Sequence, residues 1–250
     1  RELEDLVGLA NSLSLLKSAL IFAGNFSEAQ ACVEESLAIA GNLGIREEWA
    51  RSRTDIGLLY LYQGRYRQAQ ALGESQFAYA QELGDQRLEA YSLLLLGFLA
   101  LARKAYSDAE RLLGESAAVY REVGQWATLS WPLAPLSAAT RRHGKAPEAR
   151  QYLTESLQIA VESRSLTFLL PSPVALAAYM ADQGEPERAV ELYSLTSRHS
   201  WVSNWARPVD IAGSYVSAAA SALPPEIIKE AEALGQALDP WALRLNCYPT

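Results

Sequence analysis

The sequence has few of the residues that most often build metal and catalytic sites. It contains two cysteines and two histidines among 250 residues. Cys32 and Cys247 stand far apart, so their spacing predicts neither a disulfide framework nor a zinc site. His143 and His199 each stand alone, without the neighbouring nucleophile that covalent catalysis needs. We expect His143, which precedes the turn residue Gly144, to be a helix-end residue.

Other sequence signatures of activity are also missing. The chain contains no glycine-lysine phosphate loop, no G-x-G-x-x-G dinucleotide motif and no G-x-S-x-G nucleophile elbow. Its apolar runs are shorter than the roughly 20 residues that a membrane-spanning helix needs, and it has no secretory signal pattern. We therefore expect a non-catalytic cytoplasmic protein that needs no cofactor and no membrane.

An excess of positive charge is absent as well. The 22 lysines and arginines are outnumbered by 29 aspartates and glutamates, which gives a net charge of -7 at pH 7. Nucleic-acid binding draws most of its affinity from basic side chains on phosphates, so we expect no direct nucleic-acid partner. Half of the residues are hydrophobic and only 11 are prolines, so the chain can bury a large core.

What the chain does contain is an internal repeat of forty residues. Alanine recurs at this interval without a gap, at Ala29, Ala69, Ala109, Ala149 and Ala189. Glycine recurs at Gly24, Gly64, Gly144 and Gly184, and Lys104 fills the missing place. A second series, Gly44, Gly84 and Gly124, lapses at Arg164. A fixed period of about 20–50 residues indicates an array of stacked structural units.

Each unit predicts two helices. After the first turn, apolar and small residues follow the spacing of one helical stripe: Ala29, Cys32, Val33, Ser36, Leu37 and Ala40. Glycines just beyond such stripes, as at Gly84, predict left-handed helix ends. Prolines at Pro132 and Pro135, and again at Pro171 and Pro173, predict that the first helices of the fourth and fifth units start late or bend.

The second unit carries the residues of a known family. A small residue inside its first helix, a turn glycine, an aromatic residue and an alanine stand at Gly57, Gly64, Tyr66 and Ala69, and the third unit repeats much of this with Gly97, Tyr106 and Ala109. This pattern resembles the tetratricopeptide repeat, in which two antiparallel helices pack closely at small residues. The resemblance implies an all-α fold, a right-handed tetratricopeptide-like solenoid of five to six helix pairs.

We predict one continuous domain over residues 1–250. The expected units are about 5–44, 45–84, 85–124, 125–164 and 165–204, with an atypical capping pair at 205–250. In that pair we expect helices at Val209–Leu223 and Pro225–Leu238, followed by a short helix with Asp239 as its N-cap. Terminal units of an array differ from the others because one face has no neighbour.

The inner wall of a tetratricopeptide domain is built mainly from the first helix of each pair. In that register the sequence places charged and aromatic side chains at Arg51, Asp55, Tyr62, Tyr91, Phe98, Trp131 and Arg142. Arginine and aromatic residues are common anchors of binding sites. We predict a concave groove for a protein or peptide partner or a small effector. The alternative for Tyr91 and Phe98 is that they fill space between helices.

The C-terminal part narrows the resemblance. The stretches 187–193, 223–226 and 233–242 look like the tail of bacterial MalT-like, LuxR-type transcriptional regulators. In that family a STAND-class ATPase precedes the tetratricopeptide-like array, which implies effector sensing, with ATPase and output domains in the same polypeptide. The start at Arg1, without methionine, favours a fragment of such a chain. The alternative is a scaffold or self-association module that forms a homo-oligomer and binds no small molecule.

Overall fold

A computed structural model describes residues 2–164, 169, 171–199 and 212–243. In this part the chain is all-α. Ten helices form five antiparallel pairs: α1 (Glu2–Ala23) with α2 (Phe26–Leu43), α3 (Arg46–Tyr62) with α4 (Tyr66–Leu83), α5 (Gln86–Ala102) with α6 (Tyr106–Glu122), α7 (Trp126–Arg142) with α8 (Ala146–Ser163), and α9 (Pro171–Asp182) with α10 (Pro186–Ser197). They are followed by α11 (Gly213–Ala220), α12 (Pro225–Ala237) and a 3-10 turn, Pro240–Ala242.

The five pairs stack into a tetratricopeptide-like α-solenoid, as the repeat predicts. The second helices α2, α4, α6 and α8 each pack against the first helix of their own pair and against that of the next pair. The first helices α3, α5, α7 and α9 also pack on one another in turn. One core cluster runs from α3 to the last turn and includes the fully buried Leu95, Leu99 and Leu133.

Close helix crossings account for the glycines that recur inside helices. A Cβ atom at Gly57 would lie 2.5 Å from Leu95 Cδ2, and one at Gly97 would lie 2.6 Å from Leu113 Cγ. Carbon atoms in contact prefer about 3.5–4.0 Å, so neither position accepts a larger side chain without a shift. The close approach offsets the roughly 1 kcal/mol that glycine costs inside a helix, which confirms the prediction made from the register.

The two glycine series mark the helix ends. Gly44 and Gly84 close α2 and α4 in the left-handed conformation, as predicted. Where the series lapse, Lys104 and Arg164 adopt the same backbone conformation, with φ of 59° and 49°. The turn geometry is therefore kept by the stack even where the residue has a Cβ, and such a residue is strained by roughly 1 kcal/mol.

We expect Lys104→Gly to stabilise the protein by about 0.5–1 kcal/mol, because glycine adopts positive φ without strain and this gain exceeds its larger unfolded-state entropy. The reverse change at the equivalent place of the next unit, Gly144→Ala, with φ of 74°, is expected to cost a similar amount. Urea unfolding with an unchanged denaturant slope measures both. A Lys104→Gly variant that is less stable than the wild type would contradict the assignment of strain.

The prolines of the fourth unit do not delay its first helix, so the predicted late start was wrong. Helix α7 begins at Trp126 and contains the buried Pro132 and Pro135 in its interior. A proline inside a helix removes a hydrogen bond and crowds the preceding turn. However, α7 packs against α5, α6, α8 and α9, and this tertiary packing overrides the local preference. In the fifth pair α9 extends over Pro171–Asp182 and so contains Pro171 and Pro173 in its first turn, whereas residues 165–168 and 170 lie outside the described residues.

The last two helices close the C-terminal end of the stack. Helix α11 packs on α9 and α10, and α12 packs on α10. The outward side of α12 is mostly polar, with Glu226, Lys229 and Glu230 exposed, as is typical of a capping helix. The side chain of Asp239 accepts a hydrogen bond from Trp241 N at 3.0 Å, which confirms it as an N-cap. The predicted helix start at Val209 lies outside the described residues.

One tyrosine connects this cap to the third and fourth pairs. Tyr215 of α11 lies beneath the guanidinium groups of Arg141 and Arg142, which are 4.6 and 5.0 Å from its ring centre. It also forms a hydrogen bond with Tyr106, at the start of α6. Desolvation and this hydrogen bond raise the pKa of Tyr215. Arg141 is further paired with Asp182 of α9, which fixes the guanidinium that contacts Tyr215, so the cap is held by cation–π contacts as well as by apolar packing.

Candidate binding groove

An open groove of about 1120 Å³ lies on the side of the stack that the first helices form. Its walls come from α1, α3 and the first part of α5, together with the end of α6 and the start of α7. The side chains that give it its chemistry are Lys17, Glu48, Arg51, Asp55, Arg87, Tyr91, Tyr120 and Trp131. The groove therefore spans the first three pairs and the beginning of the fourth.

Four of the seven predicted groove residues line this opening, namely Arg51, Asp55, Tyr91 and Trp131. Arg51, Tyr91 and Trp131 are forty residues apart and so occupy equivalent places on neighbouring first helices. The rings of Tyr91 and Trp131 lie 6.3 Å apart between centroids, with a tilt of 34°, within the range of favourable aromatic pairs. The repeat thus produces a row of side chains along one wall.

The other three predicted residues do not line the groove. Tyr62 packs against Phe26, with ring centroids 5.6 Å apart. Phe98 is 5% exposed and belongs to the core, which is the space-filling alternative. Phe98 follows Gly97, which lies at a close crossing of two helices, so the phenylalanine ring packs between helices. Arg142 lies over the ring of Tyr106, 5.3 Å from its centre, and takes part in the contact with the cap.

A buried ion pair forms the floor of the groove. Lys17 Nζ lies 2.5 Å from Asp55 Oδ2, and each side chain is 11% exposed. The hydroxyl of Tyr91 donates to the other carboxylate oxygen, Oδ1, at 2.6 Å. Desolvation, followed by the charge of Asp55, raises the pKa of Tyr91 well above its ordinary value. Since the three residues come from α1, α3 and α5, this network ties the first three pairs together.

Arg51 is held at the groove wall by two neighbours. Its Nη2 and Nε donate to Glu48 Oε2 at 2.5 and 3.1 Å, and its Nη1 donates to Ser14 Oγ at 3.3 Å. Desolvation lowers the pKa of Arg51, but the hydrogen bond to Glu48 and the nearby carboxylates outweigh it, and the pKa is raised overall. The side chain is 45% exposed, so part of the guanidinium faces the opening.

The carboxylates of the groove already accept hydrogen bonds from the chain itself. Asp55 and Glu48 do so in the two networks above, and Asp85 caps α5 by accepting from the amides of residues 87 and 88, at 3.1 Å each. The exposed side chain of Arg87 and the exposed part of Arg51 carry donors only. The hydrogen-bonding groups that these charged residues present to the opening are therefore mainly donors, which favours a ligand with acceptor groups.

Two important groove residues escaped the sequence analysis. Lys17 occupies the register of Gly57 and Gly97, where the other units have small residues. A lysine at a position that is otherwise small could have indicated a functional residue. Tyr120 comes from the end of α6, a second helix, and only the packing of the stack brings it to the groove. It is 4% exposed, and desolvation raises its pKa.

Glu110, His143 and Ser107 are connected in the order of the acid, base and nucleophile of a hydrolase, but this cluster fits a structural role. His143 Nδ1 is paired with Glu110, which also binds Lys145 Nζ at 2.7 Å, and Nε2 lies 3.3 Å from Ser107 Oγ. The same 33-residue step joins other hydrogen-bonded side chains, Gln30 to Gln63 at 3.3 Å and Gln70 to Arg103 at 3.2 Å. We interpret the His143 cluster as one rung of a ladder between neighbouring pairs. His143 is the C-cap residue of α7, which confirms its prediction as a helix-end residue.

The described ranges contain neither a cluster of metal ligands nor a membrane-spanning helix. Among these residues no three histidine, cysteine, aspartate or glutamate side chains lie close enough to share a metal ion. None of the described helices combines the length and the apolar character that crossing a membrane demands.

Comparison with known proteins identifies the fold. No family model and no curated protein matches the sequence. A solved structure does match: PilF of Pseudomonas aeruginosa, a tetratricopeptide-repeat protein described in a functional characterization, with a TM-score of 0.52 and 16% identity over 92% of this chain and 99% of that one. The chain has a tetratricopeptide-like fold. At this identity the likeness concerns the fold alone.

Proposed function

We propose that the chain is a non-catalytic interaction module that binds a segment of a partner protein, or a small effector, in the groove. The observation that carries this proposal is the convergence of Arg51, Tyr91 and Trp131 with the ion pair on one opening. Repeated side chains on adjacent helices form a continuous surface, which suits an extended ligand. Arginine and aromatic side chains are the residues that most often anchor such ligands.

The chemistry of the groove favours an acidic ligand with an aromatic or apolar group. The carboxylates are engaged within the chain, whereas Arg51 and Arg87 present donors to the opening. A carboxylate on the ligand can accept from a guanidinium in a charge-assisted bond. An aromatic or apolar group of the ligand can pack against the wall formed by Tyr91 and Trp131.

We further propose that this module senses an effector within a larger bacterial regulator, next to a STAND-class ATPase and an output domain of the same polypeptide. The support is the resemblance of residues 187–193, 223–226 and 233–242 to the tail of MalT-like regulators. Binding in the groove would bias the ATPase only if the ligand prefers one of its states. Self-association without a small ligand is the alternative, and monomeric behaviour at high concentration in sedimentation would count against it.

The groove can be tested with a thermal-shift screen of acidic, aromatic and basic peptides and of small metabolites. A ligand at about 100 times its Kd stabilises the folded state by about 2.7 kcal/mol, which corresponds to a rise in Tm of roughly 5–10 °C for a domain of this size. We expect acidic aromatic ligands to give this shift, and the double variant Arg51→Ala, Trp131→Ala to lose it.

The matched control is Arg142→Ala, which removes an arginine that lies outside the groove. This variant is expected to keep the ligand-induced shift, whatever its own Tm. A shift that survives in the double variant would contradict the groove assignment. A preference for basic peptides would contradict the donor-rich character of the site while leaving the groove itself in place.

A further inference from the structure

Helix α1 has more exposed large hydrophobic residues than any other helix in the described part of the chain. Five of the eight large hydrophobic residues that are exposed there belong to it: Leu6, Val7, Leu9, Leu15 and Leu16, which are 39–76% exposed. Contiguous apolar patches of this kind on a folded protein commonly mark interaction sites. The question is which partner this patch fits.

The forty-residue register shows what two of these leucines do in the other units. Leu16 corresponds to Ile56, Leu96, Leu136 and Leu176, which are only 8%, 8%, 2% and 3% exposed, whereas Leu16 is 49% exposed. Leu9 is 40% exposed; its counterparts Leu129 and Leu169 are completely buried, whereas the second and third units have the partly buried Trp49 and Glu89 at this place. Leu16 is thus a core residue by position in every unit and Leu9 in the fourth and fifth, although nothing in the described residues covers either leucine. We call the surface formed by these two leucines the α1 face.

In the other units the preceding second helix covers these positions. Ile56 of α3 packs against Ala29 and Val33 of α2. Leu96 of α5 lies over Gly73 of α4, where an added Cβ would come within 2.9 Å of Leu96 Cδ2. The large residue of the first helix therefore meets small residues on the helix before it. The α1 face has the same kind of large aliphatic residue at Leu16, and Leu9 beside it, but no covering helix among the described residues.

A second copy of this chain is poorly suited to supply that helix. Helices α2, α4, α6 and α8 are each covered by the first helix of the following pair, and α10 is covered by α12. The outward side of α12 is mostly polar. Among the described helices, none of the second-helix type has a free small-residue stripe, so another copy could offer one only by opening its own stack.

We propose that the α1 face is the docking site of a partner helix with the pattern of the second helices. The chemistry of that partner is set by the stripes of α2 and α4, which carry Ala29, Val33, Ser36 and Ala40, and Ala69, Gly73, Gln76 and Ala80. It is an amphipathic helix with alanine at i and i+11 and with glycine or valine at i+4. Docked on Leu9 and Leu16, it extends the stack by one helix, at a surface separate from the groove.

The test supplies such a helix in the natural geometry. In the extended chain, a copy of residues 26–45, which contains α2, replaces residues 1–5 and joins directly to Leu6. In the natural chain the same segment joins to Arg46 at the start of α3, and Arg46 lies forty residues after Leu6, so the new junction reproduces the connection from α2 to α3. Burial of the two leucines is expected to raise Tm by about 4 °C and to reduce binding of a hydrophobic dye. In this extended chain Leu16→Glu removes the gain.

The same substitution in the unextended chain is the control. There Leu16 faces solvent, so Leu16→Glu is expected to shift Tm by less than about 1 °C. Leu234→Glu, at an exposed residue on α12, is expected to have equal effects in both chains. The proposal is overturned if the extension does not raise Tm, or if Leu16→Glu has the same effect in both chains. It is also overturned if sedimentation shows a dimer of the unextended chain that Leu16→Glu dissociates, because the face would then bind a second copy.

Discussion

Replacing Asp55 with alanine is expected to lower the free energy of unfolding by about 3 kcal/mol. The substitution leaves the ammonium group of Lys17 and the hydroxyl of Tyr91 buried without their common acceptor. Removing one member of a buried ion pair typically costs about 3–5 kcal/mol, because the remaining charge keeps its desolvation penalty. We choose the lower end because each side chain of the pair retains 11% exposure. Urea unfolding measures the loss.

A double-mutant cycle separates the ion pair from the loss of packing. Lys17→Met keeps most of the volume of the lysine stem and removes its charge, so the combination with Asp55→Ala is expected to recover about 2 kcal/mol relative to Asp55→Ala alone. Glu82→Ala, at an exposed carboxylate near the end of α4, serves as the matched control and should change stability by less than about 0.5 kcal/mol. Additive effects of Lys17→Met and Asp55→Ala would contradict the coupling.

The second large effect is expected from Gly235→Ala in α12. A Cβ atom there would lie 2.1 Å from the backbone oxygen of Glu191 and 2.9 Å from Ser194 Cβ. Backbone cannot move aside as the end of a side chain can, so α12 must shift away from α10. That shift also breaks the hydrogen bond from Ser194 Oγ to the oxygen of Glu232, which is 3.1 Å long. We expect a loss of about 2–3 kcal/mol and faster hydrogen exchange in α12.

Gly114→Ala supplies the contrast for this prediction. Gly114 lies inside α6, and an added Cβ there meets no heavy atom within 4 Å. Alanine is favoured over glycine in a helix by about 1 kcal/mol, so this variant should be more stable than the wild type. The same substitution thus stabilises at one glycine and destabilises at the other. Equal effects at the two positions would show that α12 does not contact α10 as described.

Much of the fold could be predicted because it repeats. The alanine and glycine series gave the helix pairs, the turns and the close crossings at Gly57 and Gly97, since each feature depends on residues near in sequence. The positive φ at Lys104 and Arg164 also follows from the register. The continuous helix α7 could not be predicted, because Pro132 and Pro135 oppose a helix locally and only packing from several neighbours keeps it regular.

The groove could be predicted only in part, for a physical reason. Arg51, Tyr91 and Trp131 share one register, so the periodicity alone places them on adjacent first helices. The pairing of Lys17 with Asp55 joins different register positions and depends on how far one helix pair is rotated relative to the next. That rotation results from side-chain packing along the whole stack and is not encoded in any short stretch of sequence.

The contact made by Tyr215 has a consequence for how the stack comes apart. Arrays of helix pairs can open one unit at a time from either end, because each unit is held mainly by its neighbours. At the C-terminal end, however, opening must first release Tyr215 from Arg141, Arg142 and Tyr106, which belong to two earlier pairs. At the other end the buried pair of Lys17 with Asp55, which also binds Tyr91, is the corresponding tie between α1 and the next two pairs. We therefore expect the stack to resist opening at both ends, and Asp55→Ala to make a pulling force open the α1 end, where the groove lies, before the cap.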